Sequence, residues 1–505
     1  MSITTMAELL AEGADAAIAL SAPGRLDLTY GGLRALTRRT RGALNAAGIG
    51  RNDRIAIVLP NGPEMAAGFV ALANCAATAP LNPLYRREEF AFYLEDLNAK
   101  ALVVAAGSDS PAVAAAQALS IPVITLETDA ARPAGDFELK TDITGKPAAD
   151  GAAKAEDIAL ILHTSGTTSR PKIVPLSHRN VTASATHIMD TLSLTAGDRC
   201  MNIMPLFHIH GLIAALLASL RAGGAIYCTP GFNALKVFGW LADAKPTWYT
   251  AVPTMHQAIL ARADQHAATI AHHPLRFIRS SSSALPTQVL TALEATFNTP
   301  VIEAYGMTEA AHQMACNPLP PATRKAGTVG IAAGPQVGIM SADGKLLASG
   351  EVGEIVIRGD NVTLGYENNP QANAANWTDG WFRTGDQGVM DAEGYLTITG
   401  RLKEIINRGG EKISPREVDE VLMDHPAVQQ CVTFAMPHPK LGEEVAAAVV
   451  LRDGAAAEAA DIRAFAAQRL ADFKTPRKIL ILDDIPKGAT GKLQRIGLAE
   501  KLGLG

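Results

Sequence analysis

A loop rich in hydroxyl groups and cations lies about one third of the way along the chain. An apolar run at residues 158–162 leads into His-Thr-Ser-Gly-Thr-Thr-Ser-Arg-Pro-Lys at residues 163–172. Backbone N–H groups and Ser or Thr hydroxyls in such a loop can donate to phosphate oxygens, and Lys172 adds a positive charge. The spacing does not fit the Gly-x4-Gly-Lys-Ser/Thr phosphate loop. From these residues alone, a phosphate site and an ordinary Ser/Thr-rich turn are equally good interpretations.

Several other residues have side chains suited to chemistry but an ordinary structural explanation when each is considered alone. Lys492, near the C-terminus, would usually be a solvated surface lysine, and Glu309 fits a helix start, where the dipole favours an acidic group. The Gly-Asp pair ending at Asp386 and the glycines at 409–410 are typical of turns. His208, flanked by two apolar residues, is more typical of a protein core.

Helix-like and strand-like segments alternate through the first two-thirds of the chain. Apolar residues at helical spacing over 33–47 precede an apolar strand at 54–59, and the same order recurs at 90–97 and 101–105. Repeated alternation of this kind predicts mainly parallel sheets covered by helices. The apolar strand that runs into the hydroxyl-rich loop belongs to this pattern.

The pattern changes at about residue 351. Short strands with glycine-containing turns, as at 353–359 and 394–400, predict a small β-rich subdomain. Beyond Arg401, a Ser-Pro-Arg-Glu capping box at 414–417 predicts a helix start. Further strand, helix and strand patterns complete a small α+β unit.

The composition excludes several other classes of protein. Of 505 residues, 48% are hydrophobic and 19% charged, which disfavours a mostly disordered chain. With 45 Lys and Arg against 50 Asp and Glu, the net charge of -5 disfavours a nucleic-acid coat and requires any polyanion site to be locally basic. Five dispersed cysteines without a Cys-x-x-Cys pair indicate neither a zinc cluster nor a disulfide framework. No basic leader, membrane-length apolar stretch or C-terminal peroxisomal signal is present, which predicts a soluble, cytoplasmic protein.

The hydroxyl-rich loop resembles the Thr-Ser-Gly-Thr-Thr-Gly-x-Pro-Lys-Gly loop of the adenylate-forming superfamily, which includes acyl-CoA synthetases, 4-coumarate:CoA ligases, luciferases and peptide-synthetase adenylation domains. Further superfamily motifs follow in the same order along nearly the whole chain: Pro-Leu-Phe-His at 205–208, Glu-Ala-Tyr-Gly-Met-Thr-Glu at 303–309, Trp-Phe-Arg-Thr-Gly-Asp at 381–386, Gly-Arg-Leu-Lys-Glu-Ile-Ile-Asn-Arg-Gly-Gly at 400–410, and Pro-Lys-Gly-Ala-Thr-Gly-Lys-Leu-Gln-Arg at 486–495. Six motifs in order are not expected by chance.

The resemblance implies both a fold and a reaction. The fold class is α/β, with a large N-terminal adenylation domain over residues 1–400 that contains helix-covered, mainly parallel sheets and a small β-rich subdomain. A small, mobile α+β lid follows over residues 401–505. The reaction joins a carboxylate to ATP with release of pyrophosphate, and then transfers the acyl group of the acyl-adenylate to the thiol of CoA. The implied partners are ATP, CoA, Mg²⁺ and a small carboxylic acid, with no nucleic acid and no membrane insertion.

The superfamily motifs also imply roles for individual residues. Lys492 would bridge the carboxylate and the α-phosphate, and Glu309 would bind Mg²⁺. Thr308 would donate to phosphate, and His208 would gate the CoA tunnel or the acyl pocket. These four are the expected catalytic residues. Nucleotide binding is expected from Thr164, Ser165, Gly166, Thr167, Thr168, Lys172, Ser283, Ala304, Tyr305, Thr308, Asp386 and Arg401. Of these, Asp386 and Arg401 would bind the ribose.

The motif at 400–410 implies a hinge and a CoA site. Lys403 matches the superfamily hinge, where a few residues absorb the backbone rotation between domains. Gly409 and Gly410 match glycines that line the pantetheine tunnel, because glycine lets the backbone approach a ligand closely.

Two loop positions depart from the superfamily pattern. Ser169 and Ile173 each stand where the superfamily loop has glycine. A β-branched residue is costly at positive φ, so either the backbone at Ile173 has another conformation or the loop is weakened. Ser169 is a variation associated with the oxalyl-CoA synthetase branch.

Residues around the tyrosine-glycine motif bear on the identity of the acid. A hydroxyl-rich segment precedes the motif, and His312 follows it where fatty-acid and aryl ligases carry apolar or small residues. Ser282 and His312 could hydrogen-bond the second carboxylate of a very short diacid, with His208 and Gly306 completing the acid site. Such a charge must have partners, because burying it unpaired would cost several kcal/mol. The run 303–320 is similar to the oxalyl-CoA synthetase branch, so we predict oxalate; the alternative is that His312 only packs or orders its loop.

Other functions stay open on the sequence alone. A 4-coumarate-, malonate- or short- or medium-chain fatty-acid CoA ligase would carry the same motifs. A nucleotide-binding sensor without turnover is an alternative from a different class. A polar pocket argues against a luciferase. A peptide-synthetase adenylation domain is expected to place an Asp near the pocket, whereas this chain has His208 and His210 in that stretch.

Overall fold

The computed structural model describes residues 3–164, 171–486 and 493–505. The chain folds into two units. The first comprises Met1–Leu285, Val289–Gln336 and Ile357–Trp377, and the second comprises Pro286–Gln288, Val337–Val356 and Thr378–Gly505.

The strands are numbered here in chain order. Those that precede the second unit are β1 (Ile18–Ser21), β2 (Leu28–Thr29), β3 (Arg54–Val58), β4 (Ala77–Pro80), β5 (Ala101–Ala105), β6 (Val123–Glu127), β7 (Glu138–Lys140), β8 (Ile158–Thr164), β9 (Lys172–Ser177), β10 (Arg199–Asn202), β11 (Ala225–Cys228), β12 (Trp248–Ala251), β13 (Phe277–Ser280), β14 (Val301–Met307), β15 (His312–Cys316) and β16 (Ile331–Ala332). The later ones are β17 (Gln336–Met340), β18 (Val352–Arg358), β19 (Trp377–Thr378), β20 (Trp381–Met390), β21 (Leu396–Arg401), β22 (Ile406–Arg408), β23 (Glu411–Ile413), β24 (Val428–His438), β25 (Gly442–Leu451) and β26 (Lys478–Ile481).

The helices connect and cover these strands. The α-helices are α1 (Met6–Ala11), α2 (Tyr30–Ala46), α3 (Pro63–Ala73), α4 (Arg87–Asp96), α5 (Pro111–Ala118), α6 (His178–Thr191), α7 (Ala218–Arg221), α8 (Val237–Ala244), α9 (Pro253–Ala263), α10 (Ala267–His272), α11 (Thr287–Phe297), α12 (Pro370–Asn376), α13 (Pro415–Met423), α14 (Ala459–Ala467) and α15 (Leu498–Lys501). A π-helix spans His210–Leu217, and short 3-10 turns span Asp264–His266 and Thr308–Ala310.

Among the described residues, seven strands form one sheet in the order β7-β6-β5-β3-β4-β8-β9. The inner pairs are parallel, and the outer pairs β6–β7 and β8–β9 are antiparallel. Phe90 and Leu94, one helical turn apart on α4, pack with the strand residues Ala56 and Leu102 in a single core cluster. The helical spacing in the sequence therefore corresponds to the face that α4 buries against this sheet.

A larger sheet, counted over the same described ranges, has the order β16-β15-β14-β13-β12-β10-β11-β1-β2. Its strands from β14 to β1 run parallel, and antiparallel strands close both edges. Tyr249 and Ile278 of the sheet pack against Leu241 of α8, Ile259 of α9 and Leu293 of α11. The predicted α/β class, with helix-covered and mainly parallel sheets, is confirmed.

The second unit contains most of two smaller sheets. One has the order β17-β18-β20-β19 with β21 beside β20, and the other has β23-β22-β25-β24 with β26 beside β25. Ser414 caps α13 by accepting the N–H of Glu417 at 3.4 Å, with Pro415 as the first helical residue. Val418 of α13 packs with Ile462 of α14 and with strand residues of the last sheet. This is the α+β arrangement expected beyond residue 401.

No helix among the described residues combines sufficient length with sufficient apolar character to cross a bilayer.

Candidate active site

The carboxyl ends of three parallel strands carry the polar residues of the candidate acid site. Thr250 on β12 lies opposite Arg279 on β13 in the sheet register. The neighbouring strand β14 ends in Gly306 and Met307 and leads into the turn Thr308–Ala310. Ligands of open α/β sheets bind in crevices outside the carboxyl ends of the strands, so the topology places these side chains at a favourable edge.

His210 is the first residue of the buried π-helix His210–Leu217. Such π-helical stretches are rare and frequently lie at functional sites. Nδ1 of His210 is 3.0 Å from the Ser282 hydroxyl, and Nε2 is 2.6 Å from the Thr250 hydroxyl. Hydroxyl groups therefore hold the imidazole at both ring nitrogens.

Arg279 places a guanidinium group in the same cluster with no solvent exposure. Its Nη2 atom donates to Nε2 of His312 at 3.1 Å and to the side-chain oxygen of Gln313 at 3.3 Å, and its Nη1 atom donates to Thr250 at 3.4 Å. The Nε atom has no hydrogen-bond partner among the described residues. Burial lowers the pKa of Arg279 because desolvation disfavours the charged form, yet a guanidinium keeps its proton in proteins.

The ring of His312 stacks on the ring of His210, with 4.9 Å between the centroids and 23° between the planes. The φ angles are 102° at His312, 45° at Ala311 and 74° at Ser282. Positive φ is uncommon for residues other than glycine and concentrates at active sites and ligand clamps. We refer to Ser282, His210, Arg279 and His312 as the polar wall.

Gly306 fixes the position of His312 relative to β14. The antiparallel pairing of β14 with β15 has a bulge between Tyr305 and Gly306. A Cβ at Gly306 would lie 1.7 Å from the carbonyl oxygen of His312, so a side chain does not fit there. Three of the residues predicted for the acid site, Ser282, Gly306 and His312, thus come together around His210. The fourth, His208, is half-buried and accepts the backbone N–H of His210 at its Nδ1 atom, at 3.3 Å.

Thr164 and Lys172, two of the residues predicted to bind phosphate, lie at the facing ends of β8 and β9. Thr164 ends β8 and pairs with Lys172, the first residue of β9. The predicted residues Ser165, Gly166, Thr167 and Thr168 lie outside the described residues.

Nζ of Lys172 is 4.2 Å from the centroid of the Tyr366 ring, and the Tyr366 hydroxyl donates to Oε1 of Glu309 at 2.7 Å. Tyr366 therefore connects the predicted phosphate-binding lysine with the predicted magnesium ligand.

The surroundings of Glu309 fit a magnesium ion. Its side chain is buried, and Thr308 beside it is half-buried on the same short turn. Over the residues that the structure describes, no group of three or more His, Cys, Asp and Glu is arranged to hold a metal ion. Mg²⁺ does not need such a group, because it typically takes one or two carboxylates together with substrate phosphates.

Ile173 occupies an ordinary strand position. It pairs with His163 across β8 and β9, and its buried side chain belongs to the core cluster that contains Phe90. It is not one of the residues with positive φ. The cost expected for a β-branched residue in the left-handed region therefore does not arise here.

Three further residues predicted to bind the nucleotide differ in exposure. Ala304 and Tyr305 are buried near the end of β14. The Ser281 hydroxyl donates to the carbonyl oxygen of Ala304 at 2.9 Å and so ties the hydroxyl-rich loop to that strand. Ser283, two residues further along the loop, is exposed.

The second unit holds the predicted ribose, hinge and CoA residues. Asp386 on β20 pairs with Arg401 on β21, whose Nε atom donates to Oδ1 of Asp386 at 2.8 Å. Lys403 is exposed on the turn that follows. Gly409 and Gly410, with φ of 58° and 102°, form the turn of the β22–β23 hairpin. Lys492 lies outside the described residues.

Comparison with protein families assigns both parts of the chain. Residues 10–367 match the family model of AMP-binding enzymes, and residues 417–492 match that of the AMP-binding enzyme C-terminal domain. The chain belongs to the AMP-binding enzyme family. The predicted membership of the adenylate-forming superfamily is thereby confirmed.

This AMP-binding enzyme has close relatives along its whole length. It is 44% identical to an oxalate--CoA ligase of Arabidopsis thaliana over 483 residues, which cover 94% of each chain. It is 42% identical to an oxalate--CoA ligase of Saccharomyces cerevisiae, with 89% of this chain and 87% of the other covered. The crystal structure of ATP-bound MatB from Rhodopseudomonas palustris superimposes with a TM-score of 0.87 at 29% identity, covering 99% of this chain and 98% of that one. The predicted enzyme class is confirmed: the AMP-binding enzyme is an AMP-forming acid:CoA ligase.

Four residues of this AMP-binding enzyme's site carry no role predicted from the sequence: His210, Thr250, Arg279 and Tyr366. One signal existed for Arg279, since a charged residue within a short apolar strand must have buried partners. Thr250 and Tyr366 have no comparable signal, because their contacts join positions 40 and 57 residues apart. The complete cluster combines hydroxyl and imidazole groups with a buried guanidinium, a combination that suits an anion.

Proposed function

We propose that this enzyme joins oxalate to CoA through an oxalyl-adenylate. The observation that carries the proposal is the polar wall, whose four side chains lie at or near the carboxyl ends of parallel strands. A fatty or aryl acid would bury these polar groups against hydrocarbon, which is costly. The second carboxylate of oxalate could accept hydrogen bonds from Ser282 and His312. The oxalate--CoA ligase relatives support the same acid.

In the first step, one carboxylate of oxalate would attack the α-phosphorus of ATP and displace pyrophosphate. Both reactants are anionic, so positioned cations must offset their repulsion and hold them in line. Lys492 would contact the attacking carboxylate and the α-phosphate. Lys172, Thr308 and residues 164–168 would hold the phosphates. Glu309 would hold Mg²⁺, which neutralises phosphate charge when it is bound.

Residues of three sequence motifs are assigned to the nucleoside. Ala304, Tyr305 and Ser283 would contact the adenine side of the nucleotide. Asp386 would accept hydrogen bonds from the ribose hydroxyls, and the hydrogen bond between Asp386 and Arg401 supports a shared role for the two residues.

In the second step, the thiol of CoA would attack the acyl carbon of the oxalyl-adenylate and displace AMP. Residues 401–505 would rotate about Lys403 between the two steps, so that Gly409 and Gly410 replace Lys492 beside the substrate. The positive φ angles of the two glycines suit a backbone that approaches a ligand closely. His208 would gate the tunnel through which the thiol enters.

The direct test is a substrate panel with the purified enzyme. Pyrophosphate release and CoA-dependent AMP formation are measured with oxalate, malonate, 4-coumarate and short fatty acids. We expect oxalate to have the highest kcat/KM, followed by malonate. A preference for malonate, 4-coumarate or a fatty acid would overturn oxalate as the acid, and the absence of turnover with every acid would favour a nucleotide-binding sensor.

A further inference from the structure

We propose that Arg279 makes the enzyme selective for acids with two carboxylates, acting through His210, His312 and Ser282. The inference rests on the proposed function and adds the physical source of its charge selectivity. Arg279 is a positioning residue, because the imidazoles and the hydroxyl stand between its guanidinium and the half-buried surface at Ser282.

The positive charge of Arg279 is not compensated by a carboxylate among the described residues. Its side-chain hydrogen bonds go to Thr250, His210, His312 and Gln313, none of which is a carboxylate. Within the described part of the chain, no Asp or Glu forms an ion pair with it, and its main electrostatic neighbours are the thiols of Cys316 and Cys200. A fully buried guanidinium without a counter-charge is unfavourable. A bound anion at the polar wall would relieve this cost.

Arg279 also determines the direction of the hydrogen bonds around His210. Arg279 has only donors, so its Nη1 atom donates to the Thr250 oxygen at 3.4 Å and approaches Nε2 of His210 at 3.5 Å. The Thr250 hydroxyl hydrogen then points to Nε2 of His210, 2.6 Å away. Because Nε2 accepts, the proton of neutral His210 lies on Nδ1. That N–H donates to the Ser282 oxygen, which leaves the Ser282 hydroxyl hydrogen to donate onwards.

His312 is oriented in the same way. Its Nε2 atom accepts from Nη2 of Arg279 at 3.1 Å, so a neutral His312 also carries its proton on Nδ1. The stacking of the two imidazoles and the positive φ angles at His312 and Ser282 hold these groups in one arrangement. One guanidinium therefore sets the donor direction of both imidazoles and of the serine.

This arrangement of donors distinguishes between acid substrates by their charge as well as by their shape. An acid with one carboxylate uses that group in the attack on ATP and presents a neutral remainder to the polar wall. A diacid presents a second negative charge, which the oriented donors and the guanidinium behind them stabilise in a site of low polarity. Arg279 thus favours oxalate over a neutral molecule of the same shape.

The test compares oxalate with oxamate, in which a neutral amide replaces the second carboxylate. Wild type, Arg279→Met and Arg279→Lys are assayed by pyrophosphate release, with the KM for ATP and thermal unfolding as checks on folding. We expect Arg279→Met to lower kcat/KM for oxalate on the order of 100-fold, mainly through KM, with less than about threefold change for oxamate. Arg279→Lys keeps the charge and should restore part of the preference for oxalate.

The possible outcomes separate this inference from the proposed function. A folded Arg279→Met enzyme with the wild-type ratio of kcat/KM for oxalate to that for oxamate would overturn the inference, and so would an Arg279→Lys enzyme whose ratio is no higher than that of Arg279→Met. If wild type does not use oxalate, the acid assignment fails, and the same variants are compared on malonate and its monoamide. A preserved ratio for that pair would also overturn the role of Arg279, whereas a collapsed ratio would support it. Should Arg279→Met not fold, Arg279→Gln, which also removes the charge, gives the same comparison.

Discussion

His312 provides the most direct test of the polar wall at the scale of one residue. Replacing it with Ala removes the acceptor of Arg279 Nη2 and one ring of the imidazole stack. Leaving a buried donor without its partner costs about 1–3 kcal/mol, so we expect kcat/KM for oxalate to fall roughly 10- to 100-fold. Pyrophosphate release measures this. His272→Ala, at an exposed position on α10, is the control and should be unchanged; normal oxalate turnover by His312→Ala would contradict the prediction.

Lys492 tests the division of the reaction into two steps. We expect Lys492→Ala to lower the rate of oxalyl-adenylate formation by ~10²–10³, the usual effect of removing one positioned charge-stabilising group. Formation of the thioester from preformed oxalyl-adenylate and CoA should continue, because that step does not need the bridge to the α-phosphate. Lys501→Ala, an exposed lysine on α15, is the matched control. A Lys492→Ala enzyme within twofold of wild type in the first step would remove the role assigned to this residue.

Tyr366 tests the link between the phosphate and magnesium residues. The Phe variant keeps the ring under Lys172 and removes only the hydroxyl that donates to Glu309. Loss of a group that orients a metal ligand typically costs about 10- to 100-fold in metal affinity. We therefore expect half-maximal pyrophosphate release to need at least about tenfold more Mg²⁺, with turnover recovering at saturating Mg²⁺. Tyr249→Phe, which removes a buried hydroxyl bonded to His256, should leave the Mg²⁺ dependence unchanged.

At the scale of elements, the bulged pairing of β14 with β15 presents both Gly306 and His312 to the site. We expect Gly306→Ala to destabilise the fold by roughly 1–3 kcal/mol, because the added Cβ would force the His312 backbone away. Urea unfolding measures the change, and oxalate turnover should fall with it. Gly239→Ala is the control, since this glycine lies within α8 with open space around it and alanine favours helices. Equal stability of the Gly306→Ala variant and wild type would show that the strands can move apart without cost.

At the scale of the whole molecule, the proposed rotation depends on the backbone at Lys403. This residue lies on the turn between β21 and β22, where the N–H groups of Glu404 and Ile405 donate to the carbonyl oxygen of Arg401. Proline restricts φ to about −65°, so Lys403→Pro should slow the overall formation of oxalyl-CoA by at least about tenfold. Exchange of pyrophosphate into ATP, which needs only the first step, should stay within about twofold. Lys403→Ala keeps the rotation free and should behave as wild type in both assays.

Much of the architecture was predictable from local patterns. The apolar spacing around Phe90 predicted the buried face of α4, and the apolar run at 101–105 predicted β5 with its observed bounds, Ala101–Ala105. Such patterns can be recognised because the residues on the buried face of a helix, or along a buried strand, recur at a fixed spacing and are apolar. The order of strands in the two large sheets was not predictable, because it depends on pairings between distant segments.

The sequence by itself determined the superfamily, the reaction class and most of the residues assigned to it, since these follow from short ordered motifs whose residue types suit phosphate, ribose and CoA. It also singled out Ser282 and His312. Only the tertiary structure decided what those two residues contact. Arg279 comes from β13 and His210 from the π-helix, and the pairing of β14 with β15 brings His312 to both of them. The polarity and charge of the acid site therefore arise from packing between distant segments. The effect of a buried charge depends on the groups that surround it, and no local sequence pattern shows which groups those are.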